Sequence, residues 1–271
     1  CENLILVAIP MFIFMGTMLE KSGVAKDLLY ALQILLRRVP GGLALSVTIM
    51  GTIMAATTGI IGASVVMMTL LALPVMLERN YDKSLSTGTI AASGTLGILI
   101  PPSIMLVIMA DLLAISVGTL FVASVFPGLM LALLYFIYLL LRTRFNPKLA
   151  PPLPDNIGPD NVKEKIKLIF KSFLPPIFLI FLVLGSIFAG VATPTEAAGV
   201  GALGSILLAI LNKRLNFTVL KEVTERSALT GAMIFGIFVG ATAFSYVFRS
   251  LGGDDLIHHF VNEIGFGPWG I

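Results

Sequence analysis

Ser93-Gly94-Thr95-Leu96-Gly97-Ile98-Leu99-Ile100-Pro101-Pro102-Ser103 interrupts a charge-free apolar run, Ser84–Ala110. Two consecutive prolines withdraw two backbone donors and clash with the preceding turn, and two glycines weaken the helix further. A bilayer crossing needs roughly 20 apolar residues, so the run has the length of a single span. It reads as a broken helix over 84–110. Its freed carbonyls must be buried in protein or line a polar cavity, because hydrocarbon offers them no partner.

The rest of the chain supports a membrane setting. Of 271 residues, 57% are AVILMFWYC, glycine adds 26 more, and only 12% are charged. Average soluble domains carry about 25% charge. A soluble globular, disordered, collagen-like or disulfide-scaffold protein is excluded on that basis. The net charge of +3 is not gathered into a nucleic-acid-binding stripe, and the single cysteine, Cys1, cannot form an internal disulfide. With no Met at its start and an end at Trp269-Gly270-Ile271, the chain reads as an internal fragment.

Further charge-free runs are Asn3–Leu19, Val39–Leu77, Leu112–Leu141, Ser172–Thr195, Ala197–Asn212 and Ser227–Phe248. Most fit one crossing. Val39–Leu77 is too long for one helix and barely enough for two, and its middle, Thr57-Thr58-Gly59-Ile60-Ile61-Gly62-Ala63-Ser64, is small and polar. A re-entrant hairpin over 39–77 is predicted, entering and leaving by one face. Lys and Arg in the short connections set the orientation. They place Glu20–Arg38, Glu78–Lys83, the region around Phe145–Phe170 and Lys213–Arg226 in the cytoplasm. Asp111–Ser116, which lacks Lys and Arg, falls outside. The Pro-rich linker ends in a basic amphipathic stretch, Val162–Phe170, with the composition of an interfacial helix held by anionic lipid.

An internal repeat is visible. Phe12-Ile13-Phe14-Met15-Gly16, followed by Lys21-Ser22-Gly23 and Asp27-Leu28-Leu29, resembles Gly236-Ile237-Phe238-Val239-Gly240, followed by Arg249-Ser250-Leu251-Gly252 and Asp255-Leu256-Ile257. The predicted topology runs the copies in opposite directions, the inverted-repeat design of secondary transporters. The fold class expected is an all-α polytopic membrane protein of inverted-repeat type. Residues 1–143 form the first repeat, 144–171 a cytoplasmic linker with the interfacial helix, and 172–271 a truncated second repeat.

A hairpin tip and a broken helix, both rich in glycine and hydroxyls, suit a desolvated monovalent cation. Neutral oxygens replace its water, and half-helix C-terminal ends add partial negative charge. Half-helix N-termini on the same elements offer N–H groups to an anion. The cation candidates are Thr57, Thr58, Gly59, Gly62, Ser64, Gly94, Thr95 and Gly97; the substrate candidates are Ser93, Thr95, Pro101, Pro102 and Ser103. The alternative is a proline-kinked packing helix with small residues at a helix contact. Thr193-Pro194-Thr195-Glu196 reads as a capping box, with a proton-coupling acid at Glu196 as the competing possibility. Asp111 reads as a solvated edge residue, and adjacent His258 and His259 point about 100° apart on a helix, a poor metal pair. No enzyme motif of the zinc-protease, nucleophile-elbow or phosphate-loop kind is present, so no catalysis and no cofactor are expected.

Gly59–Pro74, Gly94–Ser103 and Ala192-Thr193-Pro194-Thr195-Glu196-Ala197-Ala198 resemble the large permease subunit of tripartite ATP-independent periplasmic (TRAP) transporters, the DctM-like family. The resemblance implies a multi-pass protein of the bacterial inner membrane, of the elevator type found in the ion-transporter superfamily. It implies Na⁺ as coupling ion and import of a small organic acid delivered by a periplasmic binding protein. A small four-helix membrane subunit would be the second partner, with no nucleic acid involved. A proton-coupled carrier of the same fold and a non-transporting assembly subunit remain the alternatives. Where the family's tip is often Ser-Gly-Ser-Ser, this chain has Thr58-Gly59-Ile60-Ile61. Ion coordination would then lean on backbone carbonyls, Thr58 and Ser64. The second hairpin and second broken helix that symmetry demands are not in this stretch of chain.

Overall fold

A computed structural model of the protein describes residues 5–59, 61–153, 158–159 and 161–264. Among them the structure is all-α: α1 (Ile5–Lys21), α2 (Val24–Leu36), α3 (Gly42–Thr58), α4 (Ile61–Glu78), α5 (Lys83–Leu99), α6 (Ile104–Leu112), α7 (Val117–Phe145), α8 (Val162–Phe188), α9 (Pro194–Leu211), α10 (Phe217–Ser250) and α11 (Gly253–Ile264). Among the described residues five stretches are long and apolar enough to span a bilayer (Lys83–Leu112, which takes in α5 and α6, and those of α7, α8, α9 and α10), or six if the bent α1–α2 pair counts as one. The protein is an all-α polytopic membrane protein.

The chain forms two compact units, residues 1–227 and 228–271. In the first, α1 packs most extensively on α9, and α3, α4 and α5 pack against one another. Small residues permit the close approaches. A Cβ on Gly201 would meet Met15 Sδ at 2.5 Å, and one on Gly94 would run into Val65 of α4. With no hydrophobic drive between helices in lipid, such close packing is what holds them together. The second unit holds the greater part of α10 and α11. Its apolar side chains, Leu229, Met233, Ile237 and Phe244 among them, are largely exposed.

The stretch 39–77 holds two helices that contact each other, α3 and α4, and 84–110 holds α5 and α6 on either side of residues 100–103. At the base, Gly41 has φ 75° and Thr143 of α7 fills the space its Cβ would need; Thr143 Oγ1 donates to Pro40 O at 3.0 Å. The linker differs from expectation. Its front part is strapped onto the hairpin base: Gly41 N–H donates to Ala150 O (3.1 Å), Asp82 N–H to Leu149 O (2.8 Å), and Leu153 N–H to Arg37 O (3.0 Å). The basic stretch Val162–Phe170 is not a separate interfacial helix but the first turns of α8, continuous through Pro175 and Pro176 to Phe188. Helical hydrogen bonds propagate one residue at a time at low cost, so a stretch without a breaker joins the span that follows. Pro154, within the linker, lies outside the described residues.

The two repeat copies share an element pattern. Each is an apolar helix, a left-handed glycine and an amphipathic helix: α1, Gly23 (φ 81°), α2; and α10, Gly252 (φ 78°), α11. Charged connections assigned to one membrane face also meet. Lys21 Nζ lies 2.6 Å from Glu222 Oε1, Arg226 Nη1 lies 4.0 Å from Glu20 Oε1, and Asn212 Nδ2 donates to Ser22 O at 3.2 Å.

Candidate functional site

The hairpin tip and the helix break are in contact. Gly59 ends α3 in the left-handed region (φ 59°), its N–H reaching Ala55 O at 3.4 Å. A Cβ built on Gly59 would stand 3.2 Å from Ile104 N and 3.3 Å from Ile104 Cγ1, at the first residue of α6. An L side chain is disfavoured by both the backbone and the space. The chain needs glycine here.

The prolines remove the donors that would carry α5 onward. The last intrahelical bond of α5 runs from Ile100 N–H to Leu96 O at 2.9 Å. Gly97 and Ile98 carbonyls would next accept from residues 101 and 102, and both are prolines with no N–H to give. The Pro101–Pro102 bond is cis. Ser103 takes up the N-cap position of α6 in an extended conformation, yet its side chain makes no capping bond. Its Oγ is buried and has no hydrogen-bond partner among the described residues. A buried hydroxyl without a partner costs roughly 1–3 kcal/mol and calls for an explanation.

Two helix C-termini, α3 and α5, and two N-termini, α4 and α6, therefore converge. The former carry partial negative charge and unpaired carbonyls; the latter carry partial positive charge and unpaired N–H groups. One juncture offers oxygens to a cation and donors to an anion.

The individual candidates are placed unequally. Thr57 is buried, its hydroxyl donating to Met54 O at 2.8 Å. Ser64 is buried on α4, and Gly97 in the last turn of α5. Ser93 is buried, donating to Thr48 Oγ1 at 3.3 Å, with Gly51 of α3 against its Cβ. Pro101, Pro102 and Ser103 are buried at the break. Gly94 sits against Val65. Gly62 is exposed, with open space where a Cβ would go. Thr95 is also exposed, its hydroxyl turned back onto Ala92 O at 2.8 Å. The Thr58 side chain and Ile60 lie outside the described residues.

Sequence reasoning passed over three contributors. Gly128 of α7 lets that helix close on the break, a Cβ there standing 3.0 Å from Ile100 Cγ1 and 3.3 Å from Leu99 O. The adjacent Pro127-Gly128 pair inside an apolar run was the available signal. Thr48 was hidden among apolar neighbours. Tyr81, in the α4–α5 turn, accepts a hydrogen bond from Leu43 N–H at 3.2 Å and so holds the first turn of α3. Its phenol is pushed up to about 12 by burial, so it serves as a neutral hydroxyl.

On the opposite end, Thr193, Pro194 and Glu196 form the capping box in full. Glu196 N–H donates to Thr193 Oγ1 at 3.3 Å, and Glu196 Oε2 accepts from Thr193 N–H at 2.8 Å.

The whole chain, residues 1–271, matches the family described as the tripartite ATP-independent periplasmic transporter, DctM component. It is 32% identical over 269 residues to the C4-dicarboxylate TRAP transporter large permease protein of Pseudomonas aeruginosa, covering 99% of this chain and 61% of that protein. It is 31% identical to the isethionate TRAP transporter permease protein of Oleidesulfovibrio alaskensis (89% of this chain, 37% of that one). It is 27% identical to the ectoine TRAP transporter large permease protein of Halomonas elongata (98% and 61%). The chain thus spans about three-fifths or less of these relatives, which are named as transporter permeases and not as enzymes.

Proposed function

The chain belongs to the DctM component family of tripartite ATP-independent periplasmic transporters, and on that premise we propose that it is part of a Na⁺-coupled permease importing a small organic acid. The observation that carries the reading is the meeting of Gly59 with the start of α6, beside a buried Ser103 hydroxyl that no group among the described residues satisfies. The carbonyls of the α3 and α5 ends would hold Na⁺, and the α6 N-terminus with Ser103 would receive the carboxylate. The relatives' names span a dicarboxylate, a sulfonate and ectoine, so the common requirement is a small, water-soluble, charged solute. A periplasmic binding protein would deliver it, and a small membrane subunit would complete the complex in the inner membrane.

The test is uptake by the full permease, reconstituted with its small subunit and binding protein, across C4-dicarboxylates, isethionate and ectoine. An imposed Na⁺ gradient should drive accumulation of one of them, and Gly97→Val should abolish it while the protein still inserts. Accumulation driven by a pH gradient without Na⁺ would establish the proton-coupled alternative. Failure with every solute and gradient would favour an assembly role.

A further inference from the structure

A second polar cavity lies between α5 and α7, with a volume of about 330 Å³. That is the lower end of the range for small-molecule sites. Tyr135, Tyr138 and Arg142 line it from one face of α7, spaced at three and seven residues so that they stack along the helix. From α5 it is lined by Ser84, Gly88 and Ala92, each four residues on from the last, and none large enough to fill the space. Arg142 stands where the charge-free run Leu112–Leu141 ends, and Ser93 lies at the far end of the lining. The cavity therefore follows α5 from the cytoplasmic boundary toward the helix break.

Its chemistry is unusual for a surface facing acyl chains. Thr48, Thr89 and Ser93 bring hydroxyls to the wall. Among the described residues, the Tyr135 and Tyr138 hydroxyls and the Arg142 guanidinium have no hydrogen-bond or ion-pair partner in the protein. Asp82 also lines the mouth, but Oδ1 accepts from Leu85 N–H at 2.9 Å as the N-cap of α5. Its charge is set against the positive end of that helix. Asp82 and Arg142 are the two charged groups of the lining; among the described residues Arg142 makes no ion pair, and its planar fork matches a carboxylate or sulfonate. Polar walls within the membrane belong to water-filled paths.

We propose that this cavity is a water-filled cytoplasmic vestibule in which Arg142 holds a small organic oxyanion between the helix break and the cytosol. The identity of the anion as the transported solute rests on the transport reading above. A phospholipid headgroup would find the same guanidinium, but its acyl chain would have to lie along hydroxyls.

The experiment uses the full permease in a cysteine-free background carrying Ala92→Cys, in inside-out vesicles of neutral phospholipid. Two water-soluble methanethiosulfonates, one an anionic sulfonate and one a cationic trimethylammonium, are added from the cytoplasmic side. Their rates are compared after correction for reaction with free cysteine. The anionic reagent should react faster, and Arg142→Gln should lower the anionic-to-cationic ratio by roughly three- to tenfold. Arg142→Lys should restore most of it, which separates charge from misfolding. An unchanged ratio in Arg142→Gln overturns the proposal, as does a site that neither reagent reaches. Slowing of both reagents by added phosphatidylglycerol, seen with Arg142 and lost in Arg142→Gln, would overturn it in favour of a bound lipid. Absence of solute uptake with the charge preference intact would sink the transport reading and leave the anion cavity standing.

Discussion

At Gly59 one residue sets the geometry of the site. With φ at 59° and only 3.2 Å between a Cβ there and Ile104 N, any side chain is strained and the start of α6 must give by a few tenths of an ångström. Gly59→Val should combine about 1–2 kcal/mol of left-handed strain with displacement of α6. The expected outcome is loss of uptake with normal membrane insertion, read by transport beside expression level. Normal uptake would mean the tip does not need its contact with α6. Glu196 marks the opposite case. Its carboxylate closes a cap with Thr193, so Glu196→Gln, which can close the same box, should keep most activity. Loss of transport by a well-folded Glu196→Gln protein would revive a proton-coupling role. Tyr81→Phe removes the acceptor for Leu43 N–H, and about 1 kcal/mol of stability should go with it, measured as a lower melting temperature.

Among the elements, the broken helix depends on prolines that deny Gly97 and Ile98 their next donors. Pro101→Ala with Pro102→Ala would return both N–H groups and allow α5 to run on into α6. Such a helix would take back the carbonyls proposed to bind Na⁺. Na⁺-dependent uptake should disappear, while helix content by circular dichroism should hold or rise slightly. Retained Na⁺-dependent uptake would make the break a packing kink. The α8 helix teaches the converse: Pro175 and Pro176 lie within a continuous helix. Proline pairs alone do not dictate a break; at residues 100–103 the contacts of the hairpin tip and of Gly128 support it.

For the molecule as a whole, the strap from Leu149 to Leu153 joins the linker front to the base of the hairpin. If the hairpin moves during transport, this part of the linker moves with it. Cysteines placed at Arg37 and Leu153 and joined by a short bifunctional thiol reagent should therefore leave uptake intact. Inhibition by the cross-link would show that hairpin and linker separate. Orientation is open to a simpler check. A cysteine at Lys165 should react only with cytoplasmic reagent, as the basic connections require; labelling from outside would reverse the topology. The Lys21–Glu222 and Arg226–Glu20 pairs tie two basic connections together, and being partly exposed they weaken as salt is raised.

Much of the architecture could be read from the sequence because membrane rules are strong and local. Charge-free length marks a span, clustered Lys and Arg mark the cytoplasmic side, and two prolines remove two donors wherever they stand. The break near 101–102 was legible for that reason, and the Thr193–Glu196 cap from the residue pattern of its own box. What the residue pattern left open was which surfaces meet. Thr95 and Ser93 are equally polar and two residues apart, yet one faces outward and the other is buried against α3. On a helix a separation of two residues turns a side chain through about 200°, and only the neighbours decide which side is inside. Likewise the unpartnered Ser103, the approach of Gly128 and the strapped linker depend on tertiary contact between segments far apart in the chain. In a uniformly apolar sequence hydrophobic pattern no longer separates buried faces from lipid-facing ones, so shape and small-residue packing settle the interior.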